Sequence, residues 1–194
     1  MNLQILKSSN FHIMRFIAIL RGVNVGSGRK VPMANLKMLC ESLGLKNVQT
    51  YIQSGNLVFE LAQPEPISTL ETRLQKTFSE TFGFEIPVLI RTSEEWAESI
   101  AQNPFLKEEN VDIERLHLTC LKELPSPDLL EKIKAFQYLP DRYKIIGRNV
   151  FIFCAAGYGT SKAVNSFFES KLKTSATTRN WKTVMNLNEM VNLM

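Results

Sequence analysis

"VQTYIQSGNLVFEL", residues 48–61, reads as two short strands joined at Ser54-Gly55-Asn56, because β-branched, aromatic and apolar residues flank a turn-forming triplet. What lies on either side of this hairpin decides the fold. Upstream, "RFIAILRGVNV" (15–25) is a β-type apolar run that ends among glycines. Pro32 then suits the first turn of a helix, where its missing N–H is not needed. "MANLKMLCESLG" places Met33, Leu36, Leu39, Cys40 and Leu43 at helical spacing, with Gly44 just past the end. Downstream, "QPEP" (63–66) is a loop, and "ISTLETRLQKTFSETFG" (67–83) puts Leu70, Leu74, Phe78 and Phe82 on one helical face. "FEIPVLIRT" (84–92) closes the run as a strand whose Pro87 favours an edge or a strand start. The order β-α-β-β-α-β is that of the ferredoxin-like unit, or alpha-beta plait, in which helices pack on one face of a four-stranded antiparallel sheet.

The same order returns in the second half. Ser93 is the expected cap of a short helix, "EEWAESIAQ", that stops before Asn103-Pro104, and "FLKEENVDIE" (105–114) links onward. "RLHLTCL" (115–121) alternates as a strand does, and Ser126-Pro127 opens a helix over 126–137. "RYKIIGRNVFIFCA" (142–155) is a hairpin turning at Gly147-Arg148-Asn149. A helix is expected over 160–173, a short strand over 175–180 and a terminal helix over 183–194. The expected architecture is therefore α+β, a tandem duplication of two ferredoxin-like (βαββαβ) units with antiparallel sheets and helices on one face. The divisions are an N-terminal extension (1–13), unit 1 (14–92), a helix and linking loop (93–114), unit 2 (115–180) and a C-terminal helix (181–194).

Composition narrows the class. The chain has 194 residues, of which 44% are hydrophobic and 22% charged, enough for a real core. No apolar run reaches the roughly 20 residues of a membrane span. The N-terminal stretch also lacks a signal-peptide centre, so a cytoplasmic location is expected. Cys40, Cys120 and Cys154 are far apart in apolar surroundings, which reads as three buried thiols and not as a disulfide framework or zinc site. The net charge of +4 is uneven. Residues 142–182 hold eight Lys/Arg against the single acid Glu169, a balance of +7, a bias that attracts phosphate or nucleic acid or else simply solvates a face.

Two glycine loops and one aromatic–basic segment are the candidate site. "LRGVNVGSGRKVP" (20–32) is neither a P-loop, since the position five after Gly22 is Ser27, nor a dinucleotide fingerprint, since position 31 is Val. Gly26 and Gly28 offer backbone N–H donors and Arg21 and Lys30 offer charge. The simpler reading is that the glycines permit a βα turn. In "AAGYGTSKAVN" (155–165), Gly157 and Gly159 precede Thr160 and Ser161 as helix caps, with Lys162 in the first turn, where a bound anion would offset its charge. "TTRNWKT" (177–183) groups Arg179, Trp181 and Lys182, as a phosphate clamp with a stacking face or as a core anchor. The only histidines are His12 and His117, and no metalloprotease, esterase or calcium-loop motif occurs.

Together, "FIAILRGVNVG", "KVPMANLKMLCESLGLKNVQTYIQSGNLVF", "FGFEIPVLIRT", "NPF", "GYGTSK" and "ATTRNWKTV" resemble the largely bacterial family known as domain of unknown function 1697, over residues 14–191. The resemblance implies tandem ferredoxin-like units. It implies no activity, cofactor or catalytic residue.

The expected function is binding of a phosphate-bearing ligand, a nucleotide-like small molecule or nucleic acid. The cleft would be lined by Arg21, Gly26, Gly28, Lys30, Gly157, Gly159, Lys162, Arg179, Trp181 and Lys182. An enzyme acting on a small anionic substrate, and an interaction module pairing its sheets in a homodimer, stay open beside it. No metal is expected, and no cofactor is indicated.

Overall fold

A computed structural model describes residues 14–26, 28–63 and 65–194; the extension expected over 1–13 lies outside the described residues. Unit 1 runs β1 (Met14–Leu20), α1 (Met33–Ser42), β2 (Lys46–Tyr51), β3 (Asn56–Leu61), α2 (Ile67–Phe82), β4 (Val88–Thr92), and is followed by α3 (Ser93–Ala101). Unit 2 runs β5 (Leu116–Leu121), α4 (Pro127–Ile133), β6 (Arg142–Ile146), β7 (Asn149–Phe153), α5 (Asn165–Leu172), β8 (Ala176–Asn180), and is followed by α6 (Trp181–Asn192). The two antiparallel sheets have the orders β2-β3-β1-β4 and β6-β7-β5-β8, the same ferredoxin-like order twice. No helix among the described residues is long and apolar enough to cross a membrane.

Strand alternation sorts the core into layers. Phe16, Ala18 and Leu20 point to α1 and α2 with Leu57, Phe59, Leu70 and Phe78. Ile17, Ile19 and Val58 point the other way, into a shared core with Leu118, Cys120 and Phe151 of the second sheet. Trp96 of α3 and Trp181, Val184, Leu187 and Val191 of α6 belong to that shared core. A third cluster, with Val150, Ile152 and Phe168, packs the second sheet on α4 and α5. The two inner sheet faces thus meet over α3 and α6, which touch each other; the Trp96 indole N–H donates to the Val184 carbonyl at 3.0 Å. Helices therefore pack on one face of each sheet as expected, and the opposite face is also covered. This explains why β3 and β5 are buried at every residue.

Several boundaries move for local reasons. Thr92, not Ser93, caps α3, in a capping box with Glu95. Helix α4 stops at Ile133, and beyond it the Tyr143 hydroxyl lies 2.8 and 2.7 Å from the Ile133 and Phe136 carbonyls and meets acceptors at the helix end. Asn180 caps α6, which starts at Trp181. Helix α5 starts only at Asn165; a short 3-10 turn over Tyr158–Thr160 intervenes, and the Ser161 hydroxyl accepts from Ala163 N–H instead of capping a helix.

The duplication shows in contacts as well as in order. Ile17 pairs with Arg91 across β1–β4, and Leu118 with Arg179 across β5–β8. Each arginine sits one residue before the end of its unit's last strand, and each reaches into the other unit. Arg91 Nη2 donates to the Leu121 carbonyl at 2.5 Å, and Arg179 Nη2 to the Leu20 carbonyl at 2.7 Å. Those carbonyls end β5 and β1. The next residues repeat the exchange: Lys122 pairs with Glu71 at 3.9 Å and Arg21 with Glu169 at 2.5 Å. Both glutamates also accept an edge-strand N–H, from Ile90 at 2.8 Å and from Ala176 at 2.9 Å, which blunts the exposed edges of β4 and β8.

Candidate functional site

The structure distributes nine of the ten expected residues over three places and leaves Lys182 apart on α6. Arg179, Trp181 and Arg21 lie along the seam between the units. The half-buried Arg179 guanidinium donates to Asn56 Oδ1 at 2.5 Å and to the Leu20, Ser54, Gly55 and Thr178 carbonyls. Desolvation lowers its pKa to about 10. Trp181 is 4% exposed in the shared core. Arg21 is taken up by Glu169. These three groups join the units, Arg179 through its hydrogen bonds, Arg21 through its ion pair and Trp181 through its packing.

Gly26, Gly28 and Lys30 lie on the exposed β1–α1 loop. Asn24 closes that loop: its Oδ1 accepts from Val31 N–H at 2.8 Å and its Nδ2 donates to the Val31 and Gln53 carbonyls. The adjoining hairpin needs glycine at 55, where a Cβ would stand 2.6 Å from Val23 Cγ2 and 2.7 Å from Leu20 Cβ. Lys182 is exposed in the first turn of α6.

Gly157, Gly159 and Lys162 form the third group, on a segment whose Ala156, Thr160 and Lys162 line a concavity. Residues 137–141 and 156–162 face each other across a cleft of about 560 Å³, lined by Gln137, Tyr138, Pro140, Asp141, Thr160 and Lys162 among others. On one wall, Asp141 N–H donates to the Tyr138 carbonyl at 3.0 Å and closes a tight turn. Asp141 Oδ1 accepts from Ala155 N–H at 2.8 Å and ties that wall to the other. On the second wall Gly157 takes φ 100° and ψ 154°, a conformation open essentially to glycine. The Thr160 hydroxyl donates to the Gly157 carbonyl. Lys162 precedes α5, so the expected first-turn placement does not hold; its ammonium is exposed and has no ion pair among the described residues.

Below the 156–162 wall is a polar network. The Tyr158 hydroxyl accepts from Asn165 N–H at 2.7 Å and donates to Thr178 Oγ1 at 3.1 Å, and Thr178 Oγ1 lies 2.7 Å from Thr119 Oγ1. His117 stacks on Tyr158 at 4.8 Å, and burial lowers its pKa. Burial also raises all three thiols, Cys40 to about 12, which leaves them unreactive. Among the described residues no cluster of His, Cys, Asp and Glu could hold a metal ion.

The family model described as a protein of unknown function, DUF1697, matches residues 13–151. The chain belongs to the DUF1697 family. No curated protein matches it. Among solved structures it is similar to the conserved bacterial protein SP0830 from Streptococcus pneumoniae, with 22% identity, a TM-score of 0.73, and coverage of 92% of this chain and 99% of that one. That likeness shows a shared fold. The DUF1697 match takes in the 137–141 wall of the cleft and ends before the 156–162 wall.

The 137–141 wall had no motif to announce it. Its one signal is "YLPD", an aromatic and an apolar residue in a turn, outside the periodic positions that build a core.

Proposed function

We propose that this DUF1697 protein binds a phosphate-bearing small molecule in the cleft between residues 137–141 and 156–162. The observation that carries the reading is a break of internal symmetry at two connections of unit 2, separate from the opposite break at β1–α1, where unit 1 has residues 21–32 against 122–126 in unit 2. In unit 1 the α1–β2 connection is residues 43–45 and the β3–α2 connection residues 62–66. Their counterparts in unit 2, residues 134–141 and 154–164, are much longer. These two elaborated connections are the ones that enclose the cleft. Binding residues concentrate on loops held by a rigid scaffold, and extra length in a duplicated unit is unnecessary for packing that the shorter copy already achieves. The volume falls in the range of small-molecule sites, roughly 300–1,000 Å³. Lys162 provides an uncommitted cation on one wall and Gln137 an exposed amide on the other. Arg21 and Arg179, which would have extended a basic track toward nucleic acid, are committed to the seam.

The test is isothermal titration at low salt with inorganic phosphate and small phosphate esters. Lys162→Ala should weaken binding about tenfold or more, while Lys182→Ala, whose residue does not line the cleft, leaves it unchanged. Lack of affinity for every ester tested, or equal affinity in Lys162→Ala, overturns the proposal. One feature favours a second reading, an enzyme on a small anionic substrate: Asp141 brings a carboxylate to the same cleft as Lys162. Turnover of a bound ester that is lost in Asp141→Asn with binding retained supports it; a bound ester that is never turned over excludes it for that ester.

A further inference from the structure

The ring that lines the cleft is held from behind. Tyr138 meets Phe167 nearly perpendicularly, at 5.2 Å between centroids and 77° between planes. Phe167 in turn packs on Phe168 at 5.1 Å and 72°, and on Phe136 at 5.6 Å. Phe168 is fully buried in the core of unit 2. Tyr138 is thus the outermost ring of an aromatic series rooted in the core, and it stays half-exposed at the cleft. A ring supported in this way is a stacking surface whose orientation is fixed before anything binds. Beside it Leu139 is 76% exposed, an unusual position for a large apolar side chain next to a cluster of rings.

The polar groups are placed to suit the same occupant. The Lys162 cation lies across the cleft from this apolar wall. Asp141, one residue past Pro140, has Oδ1 bound by Ala155 N–H, while its second oxygen has no hydrogen-bond partner among the described residues. An occupant that satisfies all three features carries an aromatic ring, an anionic group and a hydrogen-bond donor. Trp181, the aromatic of the expected phosphate clamp, is enclosed in the shared core and offers no face to a ligand.

Resting on the reading of the cleft as a phosphate-ester site, we infer that its ligand class is the nucleoside monophosphates, with the base stacked on Tyr138, a ribose hydroxyl or base amine on Asp141, and the phosphate on Lys162. Base–aromatic stacking tolerates every base, so the inference is one of class and not of base identity.

The experiment titrates the full chain with adenosine 5′-monophosphate, ribose 5-phosphate and inorganic phosphate at low salt, in the parent and in Tyr138→Ala, Tyr138→Phe and Lys162→Ala, with thermal melts as folding controls. The parent should bind the nucleotide about tenfold or more tighter than ribose 5-phosphate. Tyr138→Ala should erase that preference without changing ribose 5-phosphate affinity, Tyr138→Phe should keep it, and Lys162→Ala should weaken both esters. Equal affinity of the parent for nucleotide and ribose 5-phosphate, or a preference that survives in Tyr138→Ala, overturns the stacking inference and leaves the phosphate reading standing. If none of the three probes binds, or if Lys162→Ala binds both esters as the parent does, the phosphate reading falls and this inference falls with it.

Discussion

Replacing Arg179 by alanine should be a stability mutation. Arg179 joins β8 of unit 2 to the end of β1 and to the β2–β3 hairpin of unit 1 through Asn56 Oδ1 and the Leu20, Ser54 and Gly55 carbonyls. The Gly55 carbonyl keeps a partner after the change, because Leu20 N–H also donates to it at 2.7 Å. Asn56 is 0% exposed, and Arg179 is the donor to its Oδ1, so the change removes the protein partner of a buried acceptor. A hydrogen bond to a charged group contributes about 1.5–3 kcal/mol, and an orphaned buried acceptor costs about 1–3 kcal/mol. These figures do not add, and the partial exposure of Arg179 and the desolvation that lowers its pKa set a cost against them. A net loss of about 3 kcal/mol follows, equivalent to a drop in Tm of roughly 6–12 °C for a chain of this size. Arg179→Lys should fall between the two, since one ammonium cannot reproduce a planar fork of donors aimed at separate acceptors. The assay is urea and thermal unfolding, paired with the ligand titrations above. A melt within about 2 °C of the parent, together with lost affinity for phosphate esters, would refute the argument and make Arg179 a ligand group.

Other expectations follow from the same geometry. Arg91→Ala should destabilise in parallel, because Arg91 makes the reciprocal bond to Leu121, and a melt unchanged from the parent would deny the equivalence of the two braces. Trp96→Ala removes a fully buried indole and its bond to Val184 at the meeting of α3 and α6, so a loss of about 3–5 kcal/mol is expected in urea unfolding. Gly157→Ala should cost about 1–3 kcal/mol through its φ of 100° and should loosen the 156–162 wall, which proteolysis at that loop would report. His117 is held below its ordinary pKa of 6.5 by burial, so the unfolded chain takes up its proton first as pH falls. The stability it contributes is therefore complete above about pH 6.5 and is lost as pH drops from there through the lower folded value. Thermal melts from pH 7.5 to 4.5 should show this decline, and His117→Asn should flatten it.

Strand-and-helix order was legible because it rests on local chemistry. The Ser54-Gly55-Asn56 turn and Pro127 after Ser126 each act within a few residues, and the structure keeps both. The buried cysteines were legible for the same reason. The onset of α5 was not, since "GTSK" carries good caps, yet Tyr158 is held by Thr178 and Asn165 and pulls the chain into a 3-10 turn instead. Arg179 and Trp181 illustrate the larger limit. An arginine beside a tryptophan after a short strand has one composition whether it faces a ligand or another part of the chain. Only the placement of Leu20 and Asn56 against Arg179 decides between them.

By itself the sequence determined that this chain folds as two copies of a βαββαβ order, because hydrophobic period, caps and turn residues are properties of neighbours along the chain. It also marked Gly157 and Lys162 as a loop of interest. The tertiary structure decided how the copies meet: inner sheet faces over α3 and α6, with arginines exchanged between strand ends. It also decided where the copies differ, bringing Tyr138 and Asp141 across from Lys162. A cleft between two loops is set by distances through space, and no pattern of adjacent residues encodes that distance.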